Sequence, residues 1–158
     1  MSAKLKDGDK ALDFSLLGYD GNTYSLNSFN QKILVLYFYP KDNTPGCTTE
    51  AIEFSNLIDE FEKLNAKVVG ISPDSAKSHC NFIDKHNLKL TLLSDPDKRV
   101  AESYGAFGEK KMYGKITFGI IRSTFIIKDE KILKAYYNVK AKGHAEKVLE
   151  DLKELVLK

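Results

Sequence analysis

The chain has no tryptophan and only two cysteines, Cys47 and Cys80, in 158 residues. Two isolated thiols cannot form the disulfide framework that staples small secreted domains; in a reducing compartment such a pair is more often catalytic or inert. No Cys-x-x-Cys pair, His-rich spacing or cluster of ligand residues is present, which argues against a zinc or iron–sulfur site and implies no metal and no cofactor. Long apolar runs are missing as well. The longest, residues 33–39, falls far short of the roughly 20 residues of a membrane span. Residues 2–10 are Lys-rich but broken by Asp7 and Asp9 and lack a signal peptide's apolar stretch, so a cytoplasmic location is expected. Charge of one sign is lacking too. Lys and Arg number 24 against 22 Asp and Glu, which leaves neither a nucleic-acid nor a membrane surface. With no repeat, linker or low-complexity tract, residues 1–158 are expected to form a single domain.

What is present reads as alternating strands and helices. Two β-type segments, 14–17 and 23–26, flank Asp20-Gly21, a hairpin turn signal. Seven consecutive apolar residues at 33–39 predict a buried central strand. A helix is expected from Thr48 to about Leu64, then a strand at 68–72. Pro73-Asp74-Ser75 caps a helix over 76–86. A strand at 90–94, a short helix at 98–104 and a Gly- and Lys-rich loop at 108–119 follow. A second hairpin, 123–127 and 132–137, turns at Asp129-Glu130, and a last amphipathic helix covers 144–157. Strand–helix–strand units imply parallel pairs and the late hairpin adds antiparallel ones. The expected fold class is α/β, a mixed central sheet flanked by helices with an N-terminal β-hairpin.

Chemistry concentrates where the central strand ends, in Pro40-Lys41-Asp42-Asn43-Thr44-Pro45-Gly46-Cys47. Pro, Asp, Asn and Gly turn the chain, and Cys47 arrives at the first turn of a helix. Unpaired backbone N–H groups and the positive end of the helix dipole meet there, and both favour thiolate over thiol. A tight loop would bring the Thr44 hydroxyl within reach of the sulfur or of a bound substrate oxygen. Pro40 and Pro45 stiffen the loop and remove competing N–H donors. Arg122 precedes the strand at 123–127, which is expected beside 33–39, and so carries a permanent cation toward the pocket. The stake is sizeable: a thiol of ordinary pKa is only about 3% thiolate at pH 7, and lowering that pKa to roughly 6 gains about thirty-fold in reactive species.

Other candidates read more plainly. His79, His86 and His144 lie outside this loop, and His144, following Gly143, reads as a capping or exposed residue. Tyr37 and Tyr39 read as core, with one ring lining the pocket. Lys110, Lys111 and Lys115 form a basic loop that reads as a solvated surface in preference to a frame for the pocket or a reductase contact. Cys80 shares helical spacing with Ala76 and Ile83, the pattern of a buried apolar stripe in which free cysteine is common.

Pro40-x-x-x-Thr44-x-x-Cys47 with a distant Arg122 resembles the active-site signature of the peroxiredoxins. Tyr37-Phe38-Tyr39-Pro40-Lys41-Asp42, Thr44-Pro45-Gly46-Cys47-Thr48-Thr49-Glu50 and Arg122-Ser123-Thr124-Phe125 resemble its bacterioferritin-comigratory, or Q-type, branch. Gly70-Ile71-Ser72-Pro73-Asp74-Ser75, Leu93-Ser94-Asp95-Pro96-Asp97 and Met112-Tyr113-Gly114-Lys115 extend the similarity over nearly the whole chain. The resemblance implies a thioredoxin-like fold and thiol-dependent reduction of hydrogen peroxide and organic hydroperoxides. Cys47 would be the peroxidatic thiolate, Thr44 a hydrogen-bonding partner of substrate, and Arg122 the group that stabilises thiolate and leaving oxygen. Backbone N–H groups near Gly46 and Cys47 would complete the cradle. Glu50, common in this branch, would pair with a loop cation or N–H, or else lie on the surface. Thioredoxin is the implied reductant, with glutaredoxin or another thiol as alternatives, and a monomer is implied.

One departure matters. Many Q-type members carry a resolving cysteine five residues after the peroxidatic one, where this chain has Ile52. Some relatives place it on the next helix, near Ile83, a position that shares a helix face with Cys80. Cys80 is therefore either the resolving cysteine or a core residue of a one-cysteine enzyme. Joining the two sulfurs needs Cα atoms within about 7 Å, so the first turn after Cys47 is expected to unwind. A disulfide oxidoreductase would need two cysteines in one turn, and a redox-sensing holdase would keep its activity without Cys47.

Overall fold

The structure is a computed structural model that describes residues 4–112 and 114–157. Tyr113, in one of the strings above, lies outside the described residues. In chain order the elements are β1 (Ser15–Gly18), β2 (Thr23–Ser25), a 3₁₀ turn (Leu26–Phe29), β3 (Ile33–Phe38), α1 (Pro45–Asn56) and α2 (Ile58–Lys63). Next come β4 (Ala66–Ser72), α3 (Ala76–His86), β5 (Thr91–Ser94) and α4 (Arg99–Ser103). The chain ends with β6 (Phe107–Met112), β7 (Lys115–Ile120), β8 (Ser123–Lys128), β9 (Lys131–Tyr136) and α5 (His144–Val156).

Seven strands form one mixed sheet in the order β2-β1-β5-β4-β3-β8-β9. β3, β4 and β5 are parallel, as helical crossovers require, and β1, β2, β8 and β9 add antiparallel edges. The expected N-terminal hairpin is present, pairing Ser15 with Ser25 and Leu17 with Thr23.

β3 is buried on both faces, so its apolar run does not alternate with polar residues. Its side chains do alternate in destination. Val35 and Tyr37, with Tyr39 just beyond, join Cys47, Phe54, Phe61, Phe82, Val148 and Leu152 in one core, beneath α1, α2, α3 and α5. Leu34, Leu36 and Phe38 point the other way, to a second core with Phe14, Leu26, Tyr104, Phe125 and Ile132. Cys47 thus belongs to the helix-covered face.

Two expectations need correction. The helix predicted from Thr48 to Leu64 starts earlier, at Pro45, and breaks at Leu57, whose N–H bonds back to Phe54 O at 3.1 Å in a tightened turn. Ile58 and Phe61 remain buried across the break, so the apolar period never shows it. The expected loop at 108–119 is instead the β6–β7 hairpin, turning at Gly114 with φ +78°. Ile116 and Phe118 are exposed on β7, so no buried face betrayed these strands.

Candidate active site

The end of β3 and the start of α1 place the site. Tyr39 leaves the strand, the loop turns through Asn43 at φ 63°, and Thr44 enters the helix in an extended conformation ahead of Pro45. Proline suits a first helical position because its missing N–H would find no partner there. Cys47 therefore sits in the first turn of α1, 2% exposed, where Gly46 and Cys47 have no intrahelical acceptor.

Arg122 arrives from the neighbouring strand. The antiparallel register pairs Phe38 with Ser123, which sets Arg122 at the same end of the sheet from which the chain departs for α1. Its main-chain oxygen is held by Val139 N at 3.1 Å. The guanidinium Nη2 lies 3.4 Å from Cys47 Sγ, and Nη1 donates to Glu50 Oε1 at 2.6 Å. Glu50 is one turn beyond Cys47 and fully buried, so its surface reading is overturned. Burial pushes the Glu50 carboxyl up to about 7 against the opposing pull of Arg122. Burial disfavours charge on Arg122 too, but Glu50 and Cys47 outweigh it and hold the guanidinium protonated. A Cβ at Gly46 would stand 3.1 Å from Arg122 Nη2, so glycine is what lets the guanidinium lie against the helix start. The arrangement is a sulfur at a helix N-terminus, touched by a fixed cation that is itself anchored by a buried carboxyl.

Residues 8–136 match the model of the AhpC/TSA family. A Helicobacter pylori relative carrying the peroxiredoxin bcp name is 58% identical over 150 residues, covering 94% of this chain and 99% of the relative. The solved Xylella fastidiosa PrxQ structure matches at 41% identity and TM-score 0.89, covering 98% and 99% of the two chains. A Xanthomonas campestris bacterioferritin comigratory protein, solved in trapped intermediate and ligand complexes, matches at 42% identity and TM-score 0.85, with coverage of 90% and 92%. The chain belongs to the AhpC/TSA family, as a Q-type peroxiredoxin. Its fold is the thioredoxin-like one of these neighbours, and it is a thiol-dependent peroxidase.

The remaining predicted residues of this peroxiredoxin fall as follows. The Thr44 hydroxyl donates to Lys41 O at 2.8 Å rather than to the sulfur. Pro40 is half-buried and Pro45 exposed. Cys80 is exposed on α3, so the buried-stripe reading fails. The inward residues of that helix are His79 and Phe82. His79 was hidden because periodicity counts it as polar, whereas here Asp42 and Leu93 O satisfy both ring nitrogens at 2.8 Å. Asp42, Asp74 and His79 bring ligand-type atoms within 4.8 Å of one another, an arrangement taken up by hydrogen bonds among themselves and with Tyr39, Ser72 and Ser78.

His144 is neither exposed nor a cap. It is buried, with Nε2 2.7 Å from Thr124 Oγ1, and burial followed by the charge of Arg122 lowers its pKa to about 4. Tyr37 is core and stacks on Phe54. Its hydroxyl and Glu50 Oε2 have no hydrogen-bond partner among the described residues. Lys110, expected on a solvated loop, is half-buried on β6. Burial and then the charge of Arg122 lower its pKa while Cys47 opposes the shift. A cavity of about 320 Å³ lined by Lys32, Ile33, Lys128 and Leu155 lies at the opposite end of β3 and touches none of these groups.

Proposed function

We propose that Cys47 is the peroxidatic residue and Cys80 the resolving one in the reduction of hydrogen peroxide and organic hydroperoxides. The observation that carries this reading is the Arg122 guanidinium spanning Cys47 Sγ and Glu50 Oε1. A peroxide ROOH enters with its terminal oxygen facing the sulfur. Thr44 Oγ1, whose hydroxyl hydrogen is bonded to Lys41 O, offers its lone pairs to the peroxide O–H. The thiolate pair attacks that oxygen, the S–O bond forms as O–O breaks, and RO⁻ leaves toward Arg122 and the first-turn N–H groups of Gly46 and Cys47. RO⁻ takes a proton from solvent to give ROH, and Cys47 is left as a sulfenic acid.

The Cys80 thiol then displaces that hydroxyl as water, forming a Cys47–Cys80 disulfide. A dithiol protein of the thioredoxin kind reduces it by exchange and is itself oxidised. Exposure of Cys80 supports this role, since an attacking thiol must be reachable. A monomer working in the cytoplasm fits the same reading. The alkyl peroxide reduction activity named for the Xanthomonas campestris relative supports organic hydroperoxides as substrates.

Intact-protein mass after one equivalent of hydrogen peroxide, without reductant, tests the scheme. A loss of about 2 Da is expected. A gain of about 16 or 32 Da would make this a one-cysteine peroxidase. An unchanged mass while free cysteine is consumed would overturn Cys47 as the reacting group.

A further inference from the structure

A buried polar network joins the Cys47 loop to the helix that carries Cys80. Asp42, five residues before Cys47, is 5% exposed. Its Oδ2 accepts from His79 Nδ1 at 2.8 Å and from the Ser78 hydroxyl at 2.8 Å, and its Oδ1 accepts from the Tyr39 hydroxyl at 2.6 Å. Its backbone N–H donates to Asp74 Oδ2 at 2.7 Å, and Asp74 is fixed in turn by the Ser72 hydroxyl at 2.7 Å. His79 is 0% exposed, and its Nε2 donates to Leu93 O at 2.8 Å. One ring nitrogen thus faces the Asp42 carboxylate and the other the Leu93 carbonyl, which fixes the ring's orientation. The loop is thereby pinned to β4, β5 and the first turn of α3 at once.

Cys80 is the residue after His79 and faces solvent, whereas Cys47 is buried. A disulfide needs the two Cα atoms within about 7 Å, so one segment must travel. α3 is the costly one to move, because releasing His79 strands a buried carboxylate. The first turn of α1 gives way more readily. Thr44 makes no side-chain cap bond and Pro45 supplies no N–H. With Asp42 held in place, Cys47 swings on a tether of five residues, about 17 Å at full extension.

We propose that His79 is a positioning residue for disulfide formation: its bond to Asp42 fixes the pivot about which Cys47 swings and holds Cys80 outward within the reach of that tether. The proposal rests on the reading of Cys80 as the resolving cysteine. The short tether keeps the sulfenic acid at high effective concentration near Cys80, so water loss outruns attack by a second peroxide. Breaking the bond lengthens the search and favours sulfinic acid.

Two substitutions separate this from general packing. The side-chain amide of His79→Asn falls near the Nδ1 position and keeps a donor toward Asp42. That of His79→Gln falls near Nε2 and keeps the Leu93 contact while losing Asp42. The share of sulfinic acid (a gain of about 32 Da) against disulfide (a loss of about 2 Da) is read by mass over a peroxide series, beside wild type and Cys80→Ser. Expected is a sulfinic share roughly tenfold higher in His79→Gln and near wild type in His79→Asn, with the first-step rate of Cys47 oxidation unchanged in both. Ser78→Ala, which removes a second bond to the same Asp42 oxygen, shifts the share in the same direction and serves if His79→Gln fails to fold. Equal partition in wild type, Asn and Gln variants, or a lower sulfinic share in Gln, overturns the pivot. If Cys80→Ser partitions as wild type does, the resolving role of Cys80 fails instead, and the pivot with it.

Discussion

In the proposed scheme Arg122 and Glu50 are the pair on which reactivity at Cys47 turns. The guanidinium touches the sulfur at 3.4 Å, and the carboxyl keeps it there. Arg122→Met removes both the cation and the donor for the leaving oxygen. Its rate of oxidation by peroxide, followed by stopped flow, is expected to fall about 10²–10³-fold. Glu50 has a pH signature of its own. Burial raises its carboxyl from the ordinary 4.5 to about 7. A folded value above the unfolded one means that its contribution to stability is complete below about pH 4.5 and drains away as the pH rises through about 7. An infrared band for a protonated carboxyl is expected near pH 5.5, fading by about pH 8.5 and missing in Glu50→Gln. A band that persists unchanged across that range would contradict the assignment.

At the scale of elements, the proposed disulfide needs a motion that we assign to the first turn of α1. Amide exchange of residues 48–51, the first bonded amides of α1, is expected to quicken at least about tenfold in the oxidised form, while 79–82 keeps its protection. Loss of protection in α3 instead would place the hinge on the wrong helix. The sequence made the elements around Cys47 readable because they rest on local cues: an unbroken apolar strand, a Pro- and Gly-bearing turn, and a helix start. Arg122 was placed correctly because β8 pairs with β3, as its apolar run suggests. Burial of His79 was not readable, since its partners Asp42 and Leu93 lie far away in sequence and the ring counts as polar in any helical pattern. The β6–β7 hairpin was missed because its strands carry Lys, Gly and exposed Ile116 and Phe118 rather than an inward-facing alternation. Lys110 was misjudged with it.

Across the whole molecule, β3 divides two cores, and the helix-covered one supports the catalytic turn. Phe54 is its pivot, fully buried, stacked on Tyr37 at 4.8 Å and in contact with Phe61 and His144 at ring separations of 5.9 and 6.0 Å. Phe54→Ala is expected to lower unfolding stability by about 3–5 kcal/mol, read as a drop in denaturant midpoint at constant slope. Among the described residues no helix is long and apolar enough to cross a membrane. The fold thus supplies a rigid platform of parallel strands, one helix start that can open, and a neighbouring helix tied down beside it.

The most direct measurement is competition between Cys47 and free cysteine for limiting hydrogen peroxide, with Cys47→Ser as control. Cys47 should be oxidised orders of magnitude faster than free cysteine, and in the serine variant the limiting peroxide should be consumed by free cysteine instead. A Cys47 that reacts no faster than free cysteine, or a serine variant that still outcompetes free cysteine for peroxide, would contradict the peroxidatic role assigned to it.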